Sequence, residues 1–322
     1  MKRQFVFRFV GVLSLLALTL VLSLSFGATD ALSPGAVVDQ ILTGQGVVYL
    51  FRLPRALTAM MVGLCFAISG LLLQSLTRNP LASPDLLGVT AGGGLATVIA
   101  ILVGGALAGS YITWIAFLGA SVVAAIIWVL GRGASAQRFI LTGVALSALA
   151  HAVITLLLVT YAPSAAEAMI WLKGSLFGRG WVHVKLLLPW VGFVCLGGVA
   201  VAYQANPLIL GPTVATTLGI RLSVLRPCLW LLSVAGAAAA VAVSGTIGFV
   251  GLIVPHVARR LAGPDLRVSI PFSGLLGAFF VLLADTVGRV LSPPLEIPAG
   301  LICAFLGAPY FGYLLVKGKT DI

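Results

Sequence analysis

Very few residues inside the apolar segments of this sequence have side chains capable of chemistry. They are Asp285, His151 and His256. A charge within a membrane costs at least about 2.5–3.5 kcal/mol on insertion scales, so ion-coupled carriers keep such groups only where they act. Asp285 lies one helical turn before Arg289, which predicts a local ion pair. These residues form no proton or sodium relay, so uphill transport by this chain requires an external source of energy.

A second group of polar residues lies in the stretch 69–94, between the apolar segments 56–76 and 86–103. Pro80 and Pro84 disfavour helical geometry in the residues before them. The stretch therefore predicts a tight polar turn at a membrane face, between helices that carry Gln74 and Thr90. Two interpretations stay open at this point. The turn is either an ordinary interhelical loop or a polar constriction at one end of a pathway between helices.

The composition is that of a polytopic membrane protein. Hydrophobic residues make up 60% of the chain and charged residues 8%, whereas a soluble globular protein has about 25% charged residues. At roughly 30 residues for a span with its loop, the 322 residues allow about ten crossings. The net charge of +11 comes from basic residues in short loops, which is typical of cytoplasmic loops rather than of nucleic-acid binding. The four cysteines lie in apolar segments without paired spacing, so they indicate neither a disulfide framework nor a metal site.

Ten membrane spans are predicted, of which the first and the eighth have alternatives. The first follows Lys2 and Arg3 and resembles a signal peptide, but its long apolar core favours a retained span. The eighth is short and contains Pro255. With ten spans and the N-terminus inside, most of the 19 Lys and Arg residues face the cytoplasm, as the positive-inside rule requires, and both termini are cytoplasmic. The predicted spans are 5–26, 56–76, 86–103, 112–130, 139–159, 184–203, 225–244, 247–257, 270–291 and 297–316.

A weak internal repeat relates the two halves of the chain. An odd number of predicted spans separates its copies, so they are expected to be inverted across the membrane, as in many transporters. At one constant offset, Ala67, Ser69, Gly70 and Pro80 match Ala242, Ser244, Gly245 and Pro255.

The sequence offers no nucleotide site of its own. The nearest match to a phosphate-binding loop, Gly318-Lys319-Thr320 after Gly312, has the wrong spacing and no helix after it. A partner that supplies energy has a candidate docking segment at 206–224. Breakers such as Pro207, Gly211 and Gly219 divide this segment into two short helical pieces, and the alternative is a disordered connector.

Several segments together resemble the permease subunits of ABC importers for ferric siderophores, haem and cobalamin. The resemblance covers residues 52–316 and is strongest to ferric dicitrate permeases in two of the segments, WLKGSLFGRGW and ATTLG. The segments are RLPR (52–55), NPLASPDLLG (79–88), LTGVAL (141–146), WLKGSLFGRGW (171–181), ATTLG (215–219), GFVGLIVPH (248–256), LEIPAG (295–300) and GAP (307–309).

The resemblance implies an all-α integral membrane protein with the type II ABC importer permease fold, in which residues 1–322 form a single transmembrane domain. It implies a transport subunit rather than an enzyme, without a cofactor, in the bacterial cytoplasmic membrane. The expected partners are a second permease subunit (the same chain or, slightly favoured, a different one), two ATP-binding subunits, and a periplasmic or lipid-anchored substrate-binding protein.

The resemblance also implies roles for particular residues. One departure is Pro212-Thr213, where relatives often carry an acidic residue, which bears on the polar contacts with the ATPase. The residues are Asn79, Leu81, Ala136 and Gln137 for the cytoplasmic gate; Ala215, Thr216, Thr217, Leu218 and Gly219, within coupling helices at about 207–224, for the ATPase contact; Arg52 and Arg289 for docking of the binding protein; and Ser69, Gln74, Thr142 and Ser244 for the pathway.

Three other functions are alternatives to that of a ferric siderophore permease. A haem or cobalamin permease of the same family differs only in substrate. A membrane-embedded lipid-modifying enzyme needs an acidic metal motif or a nucleophile–base pair, and the eight acidic residues are too scattered to form one. An ion channel needs a charged or carbonyl-rich filter motif, which the sequence lacks.

Overall fold

The structure is a computed structural model that describes residues 2–27, 31–104, 111–131, 135–162, 165–293 and 295–317. Within these ranges the chain is helical apart from connecting turns and one isolated bridge between Phe26 and Ala31. The α-helices are α1 (Lys2–Ser25), α2 (Pro34–Thr43), α3 (Leu53–Thr77), α4 (Val89–Gly104), α5 (Ile112–Gly131), α6 (Ala136–Thr160), α7 (Ala165–Leu172), α8 (Trp181–Ala205), α9 (Pro212–Thr217), α10 (Leu222–Ser244), α11 (Val250–Ala262), α12 (Leu266–Val290) and α13 (Ala299–Lys317).

Ten of these helices lie where the ten spans were predicted, so the all-helical membrane architecture is confirmed. In the described part of the chain, seven helices are long and apolar enough to cross a membrane, namely α1, α3, α5, α6, α8, α10 and α12. Helices α4 and α13 are apolar but shorter. The remaining one, α11, has 13 residues and contains Pro255, so it is about 20 Å long and shorter than the hydrocarbon core of a bilayer.

Helix α3 is the centre of the bundle, and small residues let its neighbours approach it closely. A Cβ atom on Gly63 would lie 2.0 Å from the carbonyl oxygen of Gly277 on α12, and one on Gly70 would lie 1.9 Å from the carbonyl oxygen of Gly251 on α11. Lipid provides no hydrophobic drive between helices, so such contacts depend on close backbone packing. The glycines of the sequence are therefore part of the core and not only loop residues.

The eighth crossing is discontinuous. The Ser233 hydroxyl on α10 donates to the Ser69 carbonyl at 2.8 Å, and α10 then continues for 11 residues to Ser244, about 16 Å further along the bundle. Yet Gly251 packs beside Gly70, the residue after Ser69, so Gly251 lies at nearly the same height along α3 as Ser233. The chain therefore returns through about 16 Å of the bundle in residues 245–249, which are not helical, before α11 begins.

Candidate functional site

The turn after α3 is held by local hydrogen bonds. Arg78 ends the helix in the left-handed conformation, with φ of 53°. The Asn79 side-chain oxygen then accepts from the Leu81 N–H at 2.9 Å, and the Ser83 hydroxyl accepts from the Leu86 N–H at 3.4 Å. Leu81 is 37% exposed at the tip of the turn. The turn therefore exposes the apolar Leu81 side chain on a backbone that side-chain hydrogen bonds hold in place.

The second half of this turn lies inside the bundle, whereas the sequence placed the whole turn at a membrane face. A Cβ atom on Gly251 would lie 3.0 Å from Pro84, and the Asp85 carboxylate is 3.4 Å from the Phe249 N–H. Gly251 packs beside Gly70, seven residues or about 10 Å before the end of α3. Asp85 is thus the polar side chain that meets the non-helical part of the eighth crossing, and no sequence signal assigned it that role.

The inner end of the turn also packs on α6. A Cβ atom on Gly88 would lie 3.1 Å from the Gly143 carbonyl and from the Ser147 nitrogen. Ala136 and Gln137 are exposed at the start of α6, where the Ser135 hydroxyl accepts from a backbone N–H as the helix cap. The contact between the turn and α6 is made by these glycines, and the gate role of Asn79, Leu81, Ala136 and Gln137 stays a prediction.

Three of the four pathway candidates are buried at helix contacts. The Ser69 carbonyl accepts from Ser233, and Ser69 itself is fully buried. The Gln74 amide donates to the Leu252 carbonyl at 3.2 Å, and its oxygen accepts from Arg259. The Ser244 hydroxyl bonds carbonyls at its own helix end. Of the three side chains, only that of Gln74 joins α3 to another helix, and it also lines a cavity beside Arg78 and Arg259. The Ser69 hydroxyl is buried without a hydrogen-bond partner in the described part of the chain.

Thr142, the fourth pathway candidate, is half-buried on α6. The exposed face of α6 carries Gln137, His151 and Thr155 instead. His151 is nine residues beyond Thr142, so these two side chains lie on opposite sides of the helix. A histidine that faced lipid in mid-helix would be costly, so ionisable residues in membrane helices face protein or a water-filled space. The exposed face of α6 is therefore expected to adjoin a second subunit or a pathway. In the sequence, the isolated His151 within an apolar segment was the feature that could have indicated this surface.

The coupling segment has the two short helical pieces that the breakers predicted. A 3₁₀ helix, Asn206–Leu210, precedes α9. Ala215 points inward and is fully buried beside Leu208 and Leu225, whereas Thr216, Thr217, Leu218 and Gly219 are exposed. The accessible part of the predicted ATPase contact thus excludes Ala215 and has Leu218 as its large apolar side chain, 64% exposed.

A polar network anchors the base of the coupling segment. The Asn206 amide donates to the Asp265 carboxylate at 2.7 Å, and its oxygen accepts from the Leu266 N–H at 2.7 Å. Hydrogen bonds from Arg267 hold the pKa of Asp265 well below its usual range. Because Asp265 stays ionised at physiological pH, it fixes the start of the coupling segment to the start of α12.

The two arginines predicted to dock a binding protein are covered by their own chain. Arg52 is 4% exposed and Arg289 is 3% exposed. The Arg52 guanidinium donates to the Leu24 and Ser25 carbonyls at 3.0 and 2.8 Å, where α1 ends with carbonyls that lack helical partners. The Arg289 guanidinium donates to the Ser23 hydroxyl at 2.8 Å. Both arginines thus hold α1 in place, and docking through them requires an exchange of these partners.

Asp285 has a better partner than the local one that the sequence predicted. Arg55 on α3 binds its carboxylate through three hydrogen bonds of 2.8–3.2 Å, while the Arg289 guanidinium is 3.8 Å away. Arg55 also pairs with Glu296 at 2.8 Å. The helical spacing of Asp285 and Arg289 is real, but the bidentate fork of a residue far away in sequence makes the closer ion pair.

This fold, with a central helix, a discontinuous crossing and a polar turn drawn into the bundle, defines a helical membrane transport subunit. The chain belongs to the FecCD transport family, whose model matches residues 15–317. It is a permease subunit of the ABC importer type and not an enzyme.

Relatives support this assignment over nearly the whole chain. The chain is 40% identical to the Fe(3+)-citrate import system permease protein YfmE of Bacillus subtilis, covering 92% of this chain and 90% of the relative. It is 40% identical to the achromobactin transport system permease protein CbrC of Dickeya dadantii, covering 99% and 95%. A solved inward-facing structure of a metal-chelate type ABC transporter superposes with a TM-score of 0.85 at 32% identity, covering 96% of this chain and 98% of that one.

Proposed function

We propose that this chain is the permease subunit through which a ferric siderophore, of the iron-citrate type, crosses the bacterial cytoplasmic membrane. The observation that carries this proposal is the similarity to an iron-citrate import permease along nearly the full length of both chains. The described spans contain no proton or sodium relay, so the energy comes from ATP hydrolysis by a partner subunit.

The accessible face of α6 is proposed as one wall of the pathway. It carries Gln137, His151 and Thr155, which are exposed among the residues that the structure describes and lie on one side of the helix by its period. Thr142, on another side of α6, stays a predicted pathway residue. A second permease subunit, the same chain or a related one, would supply the opposite wall. The turn with Asn79 and Leu81, together with Ala136 and Gln137, would close the cytoplasmic end, because Gly88 joins this turn to α6.

The coupling segment is proposed as the seat of the ATPase. Its exposed residues, Thr216 to Gly219, have few internal contacts, and the Thr216 and Thr217 hydroxyls are already bonded to the Thr213 carbonyl. A partner would therefore meet mainly the Leu218 side chain and the backbone around Gly219, with little competition from polar groups.

The outer ends of α1, α3 and α12 are proposed as the docking site for a substrate-binding protein. Arg52 and Arg289 lie there, and Arg55 pairs with Asp285 and Glu296 beside them. A guanidinium binds a carboxylate through two parallel hydrogen bonds, so these arginines suit an acidic partner. Carboxylates of that partner would replace the carbonyl and hydroxyl groups that Arg52 and Arg289 now bind.

Transport by reconstituted complexes tests the proposal. Proteoliposomes would contain the chain, its second permease subunit, the ATPase and the binding protein, with ⁵⁵Fe-citrate, haem and cobalamin offered separately. We expect ATP-dependent uptake of iron citrate that stops when the ATPase carries a substitution in its catalytic site. Uptake of haem or cobalamin without uptake of the ferric chelate would overturn the substrate assignment and leave the permease assignment standing.

A further inference from the structure

A crevice runs along the outer surface of the bundle between α5 and α8. Both helices pack on α10, which forms the floor of the crevice. Its central cavity has a volume of about 390 Å³, and nearly all of its lining is apolar. Exposed Ala125 on α5 and Leu231 on α10 line the cavity, so it opens sideways at the surface of the bundle.

Aromatic side chains line both ends of this cavity. At one end, Phe117 on α5 meets Trp190 on α8 with ring centroids 4.7 Å apart. At the other end, Trp128 on α5 stacks on Trp230 of α10 at 6.1 Å. Phe117 and Trp128 are 11 residues apart on one helix, which is about 16 Å. That length matches one leaflet of a hydrocarbon core of about 30 Å.

At Trp128 the crevice meets a polar cavity that α6 borders in place of α8. This second cavity, of about 280 Å³, is lined by Trp128 and by Thr77, Phe139, Ser223 and Arg226. Arg226 lies four residues before Trp230 on α10, so its side chain is on the same helix face, one turn away. The exposed guanidinium therefore stands at the end of an apolar groove that is one leaflet long.

We propose that this crevice is a binding site for one anionic phospholipid, with its phosphate at Arg226 and an acyl chain between α5 and α8. An apolar cavity left empty in a membrane forfeits the dispersion contacts of its lining, and an acyl chain restores them. A cation at the membrane surface favours anionic headgroups by about 1 kcal/mol, or about fivefold in affinity.

A helix of a partner subunit does not fit this space. Over the same 16 Å, a helix about 10 Å in diameter occupies roughly 1,250 Å³. The free space of the central cavity is about 770 Å³ even when its open side is included. The crevice is therefore too small to take in a whole helix, and a thin apolar chain is the occupant that we propose.

Native mass spectrometry of the purified full-length chain tests this site. Delipidated protein would be titrated with dioleoylphosphatidylglycerol, with dioleoylphosphatidylcholine, and with glycerol phosphate, which has the anionic group without acyl chains. We expect one tightly held phosphatidylglycerol per chain, weaker binding of phosphatidylcholine, and no measurable binding of glycerol phosphate. Glycerol phosphate binding as strongly as the lipid would overturn the proposal, because the site would then be an anion site.

Two variants with matched controls locate the lipid. Arg226→Gln should lower the affinity for phosphatidylglycerol about fivefold and leave that for phosphatidylcholine unchanged, whereas Arg221→Gln, an exposed arginine at the start of the same helix, should change neither. Ala125→Phe fills the groove and should remove the tightly held lipid, whereas Ala200→Phe on the exposed side of α8 should not.

The proposal fails if the wild-type chain holds no tightly bound lipid, or if the variants and their controls lose it equally. It also fails if the lipid is displaced when the second permease subunit binds, because the crevice would then be a subunit interface. Arg226 is exposed, so its substitution leaves the fold intact and keeps the test decisive if Ala125→Phe does not fold.

Discussion

Gly63 on α3 and Gly277 on α12 lie backbone to backbone at the centre of the bundle. A Cβ atom on Gly63 would be 2.0 Å from the Gly277 carbonyl oxygen, and one on Gly277 would be 2.3 Å from the Gly63 carbonyl oxygen. Neither helix can yield at this point without moving its backbone, because the clashing atoms are not the ends of flexible side chains. The spacing of α3 and α12 therefore depends on two missing side chains.

Gly63→Ala should destabilise the protein strongly. Overpacking usually costs about 1–3 kcal/mol, and a clash with a backbone carbonyl belongs at or above the upper end of that range. The measurement is thermal unfolding of the purified chain in detergent. Gly192→Ala on α8 is the control, since a Cβ atom there meets nothing within 4 Å. Equal unfolding temperatures for the two variants would show that α3 and α12 do not pack as described.

Asp285→Ala should lower the unfolding free energy by about 3–5 kcal/mol, because it leaves buried arginine charge without its carboxylate. Among the described residues, Arg55 would keep Glu296 as its carboxylate partner, and Arg289 would lose Asp285. Chemical unfolding followed by circular dichroism measures the loss. Asp39→Ala on the exposed surface of α2 should cost little, and a similar cost for both substitutions would contradict the buried ion pair.

Asn79→Ala should raise the leak of substrate through the assembled importer in the absence of ATP. The substitution removes the acceptor that holds the Leu81 N–H at 2.9 Å, so the turn loses its frame. Asn79→Asp keeps an acceptor oxygen, so its leak of substrate should equal that of the wild type. Efflux from loaded proteoliposomes measures both variants. If Asn79→Ala leaks no faster than the wild type, this turn does not seal the pathway.

Leu218→Ala should uncouple ATP hydrolysis from the binding protein while the chain still inserts and folds. Leu218 is 64% exposed on the coupling segment, and its removal costs little inside the chain. Leu42→Ala, at an 81% exposed residue of α2, is the control. The readout is the stimulation of ATPase activity by the binding protein. Unchanged stimulation in Leu218→Ala would remove this side chain from the proposed ATPase contact.

Arg52→Glu combined with Arg289→Glu should abolish stimulation by the binding protein and the salt dependence of its binding. Both arginines also hold α1, so damage to the fold would abolish stimulation as well. A rescue experiment separates lost docking from structural damage. Reversal of the matching carboxylates on the binding protein should partly restore stimulation. If the variant keeps the unfolding temperature of the wild type and no such reversal restores stimulation, these arginines have a structural role only.

The sequence by itself determined the class of the protein. Apolar segments of about 20 residues fix the helices, since every backbone polar group in lipid must be bonded within its own segment. Proline and glycine positions likewise located the turn after α3 and the two short pieces of the coupling segment, because these residues act on the local backbone. The outcome at 207–224 shows how far such local rules reach.

Only the tertiary structure decided which side chains face one another. The sequence placed Ser69, Gln74 and Ser244 on a pathway and paired Asp285 with its helical neighbour. The fold buries the three polar residues at helix contacts and brings Arg55 from another helix to Asp285. A sequence shows the periodicity of a helix but not its rotation about its own axis. In a membrane, that rotation is set by close contacts such as Gly70 against Gly251 rather than by a hydrophobic pattern, since lipid is as apolar as the core.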